Sequence, residues 1–437
     1  MSIPKLLLLT GTSPDEPGVG GVWLRDILGL FPPDRLACFA VAAPGDGRCT
    51  RGLGNRFDTC AYPCAYPQTW VQGRLRRGLH AARLAWVRGW RERALVARVV
   101  SFARGQGVER VWAIPERPHM FRIAREVSRA LCCPLYATIW DPPEAVAMTH
   151  HLDRLSTDVM LRDFDALMRG LVACSVMSEG MQARYAPRYG VRSVILRHGI
   201  DEALWMPPGP RPQSDERLMI GFAGTANGPG EWRALVAALN STRWKLDGRQ
   251  VVLRTLSHSI CESTPAEAHI EHLGYRPLPD VVQHLSDCDM LYLPFFSEPA
   301  WRVSADTVFP TKLTTYLAAG RPVLYHGPPG SAVERFFERY PAGLCCTSRE
   351  PREILGALRR VAGEPGNYRR MTAAGEAARR EELSAEVFKR RIAELFGFDT
   401  DLLTVPGEAS MRVNGHILRD SPARRTPRQR AEPPARR

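Results

Sequence analysis

The sequence predicts an α/β protein made of two successive parallel-sheet units, and three observations predict it. Short apolar runs of strand length alternate with longer stretches of helical periodicity, the pattern of strands buried on both faces with helices between them. The alternation breaks once, at 202–217, where EALWMPPGPRPQSDER places four prolines in sixteen positions and reads as a linker. It then restarts with the same rhythm, and 437 residues suffice for two such units, each with its own core.

Strand candidates in the first half are 6–10, 37–43, 110–114, 135–141, 171–176 and 193–197, with helical patterns over 74–104, 119–131 and 158–170. In the second half they are 218–225, 251–256, 269–273, 290–294, 322–325 and 343–346. Helices there fit 229–240, 278–286, 311–319, 331–340, 351–363 and 367–396. The simplest account is two Rossmann-like domains, 1–203 and 218–400, joined by a linker at 204–217. Residues 401–437 are rich in Pro and Arg without periodicity, and the expectation is a disordered basic tail.

Hydrophobic residues at 44% and charged residues at 24% are ordinary for a globular chain. The net charge of +13 is concentrated: 69–98 carries +7 and 419–437 carries +5. The rest is near neutral, which argues against a nucleic-acid partner, since such proteins show a basic face on the folded core. Eleven cysteines and an opening LLLL run too short for a leader peptide point to a reduced, cytoplasmic protein. The pairs Cys132-Cys133 and Cys345-Cys346 read as small buried hydrophobes. Cys60 and Cys64 have no second pair at zinc spacing, so no metal is expected. No apolar stretch reaches 18 residues, so no membrane-spanning segment is expected.

The most specific stretch is FPTKLTTYLAAGRPVLYHGPPGS at 309–331. Its Pro310, Lys312, Leu313, Tyr316, Leu317, Ala318, Gly320, Pro322 and Val323 resemble the donor-site segment of the large group of GT-B glycosyltransferases that build bacterial polysaccharides, glycolipids and cell-wall sugars. Further pieces agree in order: Gly20-Gly21 after the first strand, Cys174 to Met181, Arg197 to Asp201, and Gly221 to Thr225. The resemblance spans roughly 5–396. It implies a GT-B fold, with two Rossmann-like domains facing across a cleft. It also implies transfer of a sugar from a nucleoside diphosphate sugar, bound mainly by the second domain, to a hydroxyl-bearing acceptor on the first. No cofactor is implied. Two departures stand out: Thr315 occupies the place of a glutamate that holds the donor ribose in many relatives, and the Arg/Lys pair after the second domain's first strand is replaced by Gly224 to Gly230. These departures keep two other readings open, a non-catalytic carbohydrate- or partner-binding relative and a sugar-nucleotide epimerase.

A diphosphate needs free amides at a helix start, close-approach glycines and a cation. Thr311 and Lys312 open a helix after Pro310, and Lys312 reads either as the phosphate cation or as a solvated lysine. Gly224, Thr225 and Asn227 follow a strand end, as donor-loop residues or as a plain turn. Gly18 to Gly21 forms a glycine loop that lets backbone approach a ligand. Asp141, at a strand's carboxyl end, suits a general base or a helix N-cap, with Glu144 as the second candidate. Glu298 and Arg302 lie in a long loop, 296–309, placed to meet sugar or base. His198 is a minor candidate. Arginines in 69–98 interleave with Leu75, Leu79, Trp86, Trp90 and Leu95 at helical spacing. That pattern fits peripheral attachment to an anionic membrane surface at its inner face, or a helix whose apolar side packs on its own domain.

Overall fold

Runs of three or four consecutive apolar residues, buried throughout, fit the interior of a sheet covered by helices on both faces, and that is how these runs are used. In the computed structural model, residues 3–14, 16, 18–42, 56–62, 66, 74–209, 216–257, 269–363 and 365–404 are described. The basic tail beyond 404 and most of the 43–73 stretch lie outside them. The first sheet contains β1 (Leu6–Thr10), β2 (Leu36–Ala40), β3 (Phe57–Thr59), β4 (Arg110–Ile114), β5 (Leu135–Ile139), β6 (Ala173–Val176) and β7 (Arg192–Ile195). Its order is β3-β2-β1-β4-β5-β6-β7, and every pairing is parallel.

The second sheet contains β8 (Arg217–Ala223), β9 (Lys245–Leu246), β10 (Arg249–Leu256), β11 (Ile270–His272), β12 (Met290–Pro294), β13 (Val323–His326) and β14 (Gly343–Cys346). Its order is β11-β10-β8-β12-β13-β14, with β9 antiparallel on β10. Two α/β sheets of this kind make the GT-B fold.

Several expectations are corrected. The 74–104 helix is three segments, because the π-helical turn Val87–Arg91 separates Arg74–Trp86 from Glu92–Gln106. The 367–396 helix is likewise broken by the π-helical Arg379–Leu383. Its last part, Ala385–Phe396, crosses back to the first sheet, where Phe396 packs on Trp112 and Tyr136 at 5.1 and 4.8 Å between ring centroids. Of the four cysteines expected to be buried, only Cys346 is, and Cys132 is exposed.

The halves are fastened by Arg197. Its side chain is 2% exposed, lies over the rings of Phe309 and Phe336 from the second half, and pairs with Glu179 at 2.6 Å and Glu382 at 2.8 Å. Two carboxylates and two ring faces offset the large desolvation cost of a buried guanidinium. Among the described residues no helix is long and apolar enough to cross a membrane.

Candidate active site

In each sheet the strand order reverses once, between β1 and β4 in the first and between β8 and β12 in the second. Strands flanking a reversal send their following loops to opposite sides and leave a crevice at their carboxyl ends, where ligands of open α/β sheets bind. Most of the candidate residues lie at these two crevices.

In the second sheet, β8 ends at Ala223 and the chain turns at Gly224, whose φ of 75° is strained for any residue with a Cβ. A Cβ there would also sit 3.1 Å from Lys312 Cε. Lys312 donates to the Thr225 carbonyl, and its Nζ lies 5.1 Å from the centre of the Phe222 ring. No carboxylate pairs with it among the described residues. Burial without a counter-charge pushes its pKa down to about 8. The lysine is thus a desolvated cation held by a carbonyl and a ring face, not a solvated helix-start lysine.

Thr311 is the first residue of helix Thr311–Ala318, which has no side-chain cap; the Leu313 amide bonds the Pro310 carbonyl at 2.9 Å, and the amides of Thr311 and Lys312 remain available among the described residues. Thr315 lies one turn on, on the same face as Thr311, and both are half-buried. The Tyr316 hydroxyl accepts from the Ala223 amide at 2.9 Å, which locks this helix to the end of β8. Asn227 is half-buried in the same loop, and Thr225 is exposed.

The 296–309 segment is not a long loop: it holds a 3-10 turn, Pro299–Trp301, and a short helix, Arg302–Thr307. Glu298 pairs with Arg349 at 2.8 Å, and Arg349 also bonds the buried Glu231 through its Nε at 2.8 Å. Burial pushes the Glu298 pKa up, but the hydrogen bond and charge of Arg349 outweigh that and hold it below the usual range. Arg302 pairs with Asp306 one turn along its own helix at 3.2 Å.

In the first sheet, Asp141 stands two residues beyond β5. It does not cap the following helix, whose N-cap is Pro142 with no side-chain bond, and it has no partner among the described residues. The residue is exposed, yet the protein atoms around its carboxyl strip part of its hydration, and this desolvation pushes its pKa up to about 6. Glu144 instead pairs with Arg184 at 2.6 Å.

The expected glycine loop is corrected as well. Gly20 and Gly21 lie in the first turn of helix Val19–Leu30, where a Cβ on Gly21 would collide with the Glu16 carbonyl. His198 is committed to Asp26 at 2.7 Å and packs between Trp23 and Phe388, a structural role.

Sequence reasoning passed over one further carboxylate. Glu116 stands two residues beyond β4, as Asp141 does beyond β5, and receives the Thr10 hydroxyl at 2.9 Å on one oxygen and the Thr12 hydroxyl on the other. Burial pushes its pKa up to about 7. The signal that singled out Asp141, an acid just past a strand's carboxyl end, was present here too. Among the described residues no cluster of His, Cys, Asp and Glu is arranged to hold a metal.

No family model and no curated protein sequence matches this chain. Solved structures do. Anabaena HepE, solved in complex with UDP and glucose, is 15% identical with a TM-score of 0.63, covering 90% of this chain and 99% of its own. Sucrose-phosphate synthase from Thermosynechococcus elongatus is 14% identical with a TM-score of 0.62, over 90% and 98%. Trehalose 6-phosphate synthase from Burkholderia multivorans is 10% identical with a TM-score of 0.61, over 90% and 98%. At these identities the likeness is one of fold, and it extends over both sheets.

Proposed function

We propose that this chain transfers a glycosyl group from a nucleoside diphosphate sugar to an acceptor hydroxyl. The observation that carries this reading is the second-sheet crevice, where an unpaired, desolvated Lys312 meets the Gly224 turn beside the free amides of helix Thr311–Ala318. A cation, a close-approach glycine and a helix N-terminus are what a diphosphate requires. The UDP and UDP-glucose complexes of Anabaena HepE support the same assignment.

On this reading Thr225 and Asn227 meet the donor from the loop after β8, and Thr311 and Thr315 from the helix. Glu298 and Arg302, being paired with Arg349 and Asp306, act at the rim. The acceptor lies in the first-sheet crevice. Asp141 takes the proton of its hydroxyl as that oxygen bonds to the anomeric carbon. The bond from that carbon to the diphosphate breaks, and Lys312 with the helix amides meets the departing charge.

The test is a panel of nucleotide sugars with the purified chain. At least one is expected to bind and to be slowly hydrolysed, and K312A is expected to weaken the binding on the order of 100-fold and to abolish measurable hydrolysis. Tight binding without turnover of any donor is the outcome of a carbohydrate-binding relative, and interconversion of donor epimers that of an epimerase.

The acceptor side also fits an anionic membrane surface. Leu95 is buried, but Leu79, Trp86 and Trp90 are 69, 54 and 67% exposed, so the apolar residues of this helix do not all pack on its own domain. Meanwhile Glu92 is buried beneath it against Arg122 at 2.7 Å. Two tryptophans 5.8 Å apart at ring centroids, flanked by Arg83 and Arg93, suit a headgroup layer. Flotation with vesicles containing phosphatidylserine is expected to carry the protein at low salt and release it at high salt.

A further inference from the structure

The first-sheet crevice holds a carboxylate that the reaction above does not use. Glu116 reaches the reversal point between β1 and β4 and is neither fully buried nor exposed. It makes no ion pair among the described residues. Its two oxygens offer about four lone-pair positions. The Thr10 and Thr12 hydroxyls fill one on each oxygen, and Thr10 is itself fixed by the Thr12 amide at 3.2 Å. The carboxylate plane is therefore set, with its remaining lone pairs unused.

Asp141 follows β5, the strand next to β4 in the sheet, so it lies one strand over from Glu116. Gly20 lies between the two loops: a Cβ on it would be 3.2 Å from Thr12 and 3.5 Å from the Trp140 ring, so the absence of a side chain lets the loop bearing Thr12 and the corner bearing Trp140 come close together. A half-buried carboxylate with fixed orientation, spare lone pairs and no ion pair among the described residues suits a neutral partner that brings hydroxyl donors. It repels phosphate or carboxylate.

We propose that Glu116 binds hydroxyls of a neutral sugar in the acceptor crevice, with Thr10 and Thr12 as its positioning residues. The inference rests on the glycosyl-transfer reading for the name acceptor, while the binding itself does not depend on that reading. The charged groups facing Glu116 are Arg117 on its own loop, which favours ionisation, and Glu16 on the loop after β1, which opposes it. His150 bonds the Glu116 backbone carbonyl, and His119 is buried nearby with both ring nitrogens unpartnered among the described residues.

The test uses the full-length chain, with and without UDP-glucose, and a panel of methyl glycosides of neutral sugars followed by saturation-transfer NMR. Wild type is expected to bind at least one glycoside, with E116Q and T12V each weakening it about tenfold or more, the loss of one well-placed hydrogen bond to a charged group. UDP-glucose affinity is expected to stay within about threefold in both variants. Glycoside affinity in wild type falls as pH drops below about 7, where Glu116 takes up a proton, and is flat in E116Q. Undiminished binding by E116Q and T12V, a panel in which no glycoside binds, or an unchanged pH response in E116Q overturns the proposal. Failure of UDP-glucose to bind while Glu116-dependent glycoside binding persists sinks the donor assignment and leaves this site standing.

Discussion

The crevice at β8 and β12 and the crevice at β1 and β4 arise from the same reversal of strand order, yet they hold opposite charges. The second-sheet crevice offers an unpaired ammonium, Lys312, beside bare helix amides and a positive-φ glycine. The first-sheet crevice offers two carboxyls, Asp141 and Glu116, each two residues past its strand and each with a raised pKa. Topology places a crevice in each sheet; the residues just past the strand ends decide what it can bind. A diphosphate suits the first description, and a hydroxyl nucleophile that must lose a proton suits the second.

The sharpest way to break this division is D141N. Turnover is expected to fall about 10³-fold, within the range for loss of a general base, with UDP-glucose affinity within about threefold. Because the base works only when ionised, wild-type kcat at saturating donor and acceptor is expected to fall as pH drops through about 6, and D141N loses that limb. A loss of stability with turnover intact would return Asp141 to a structural role.

K312A tests the other crevice. UDP-glucose affinity by calorimetry is expected to fall on the order of 100-fold, the scale of a lost charge-assisted contact, with the melting temperature nearly unchanged. Unaltered affinity removes Lys312 from the donor site.

Stability against pH separates the crevices by sign. Glu116 has a folded pKa above its unfolded value, so its contribution is fully present below the unfolded pKa and is lost as pH rises through about 7. E116Q is therefore expected to be more stable than wild type by about 1 kcal/mol at pH 8, with the difference vanishing near pH 4, read by denaturant melts. The smallest effect belongs to Glu144. Its carboxylate is spoken for by Arg184, and E144A is expected to change turnover less than threefold.

Elements whose signal is local were legible in the sequence. The runs at β1, β4, β12 and β14 match their expected limits, because three or four apolar residues between breakers define both ends. What escaped was short or masked by composition. β3 has three half-buried residues, and helix Val19–Leu30 opens on Val-Gly-Gly, which reads as a loop until the Glu16 carbonyl is seen against Gly21. In the site, the sequence pointed to Lys312, Gly224, Thr311 and Asp141 through position relative to strand ends. It passed over Glu116 and left His198 as a minor candidate, because the deciding partners, Thr10, Thr12 and Asp26, are distant along the chain.

The sequence by itself determined the two parallel sheets, the break between them and the donor-helix opening, since periodicity and breakers are written within a few residues. Only the tertiary structure decided which charges stand alone. Arg349 is occupied by Glu231 and Glu298, Glu144 by Arg184 and His198 by Asp26, whereas Lys312 and Asp141 have no opposite charge beside them. Whether a charge is neutralised or kept for a ligand depends on contacts between segments tens to hundreds of residues apart, and those contacts exist only once both sheets have formed.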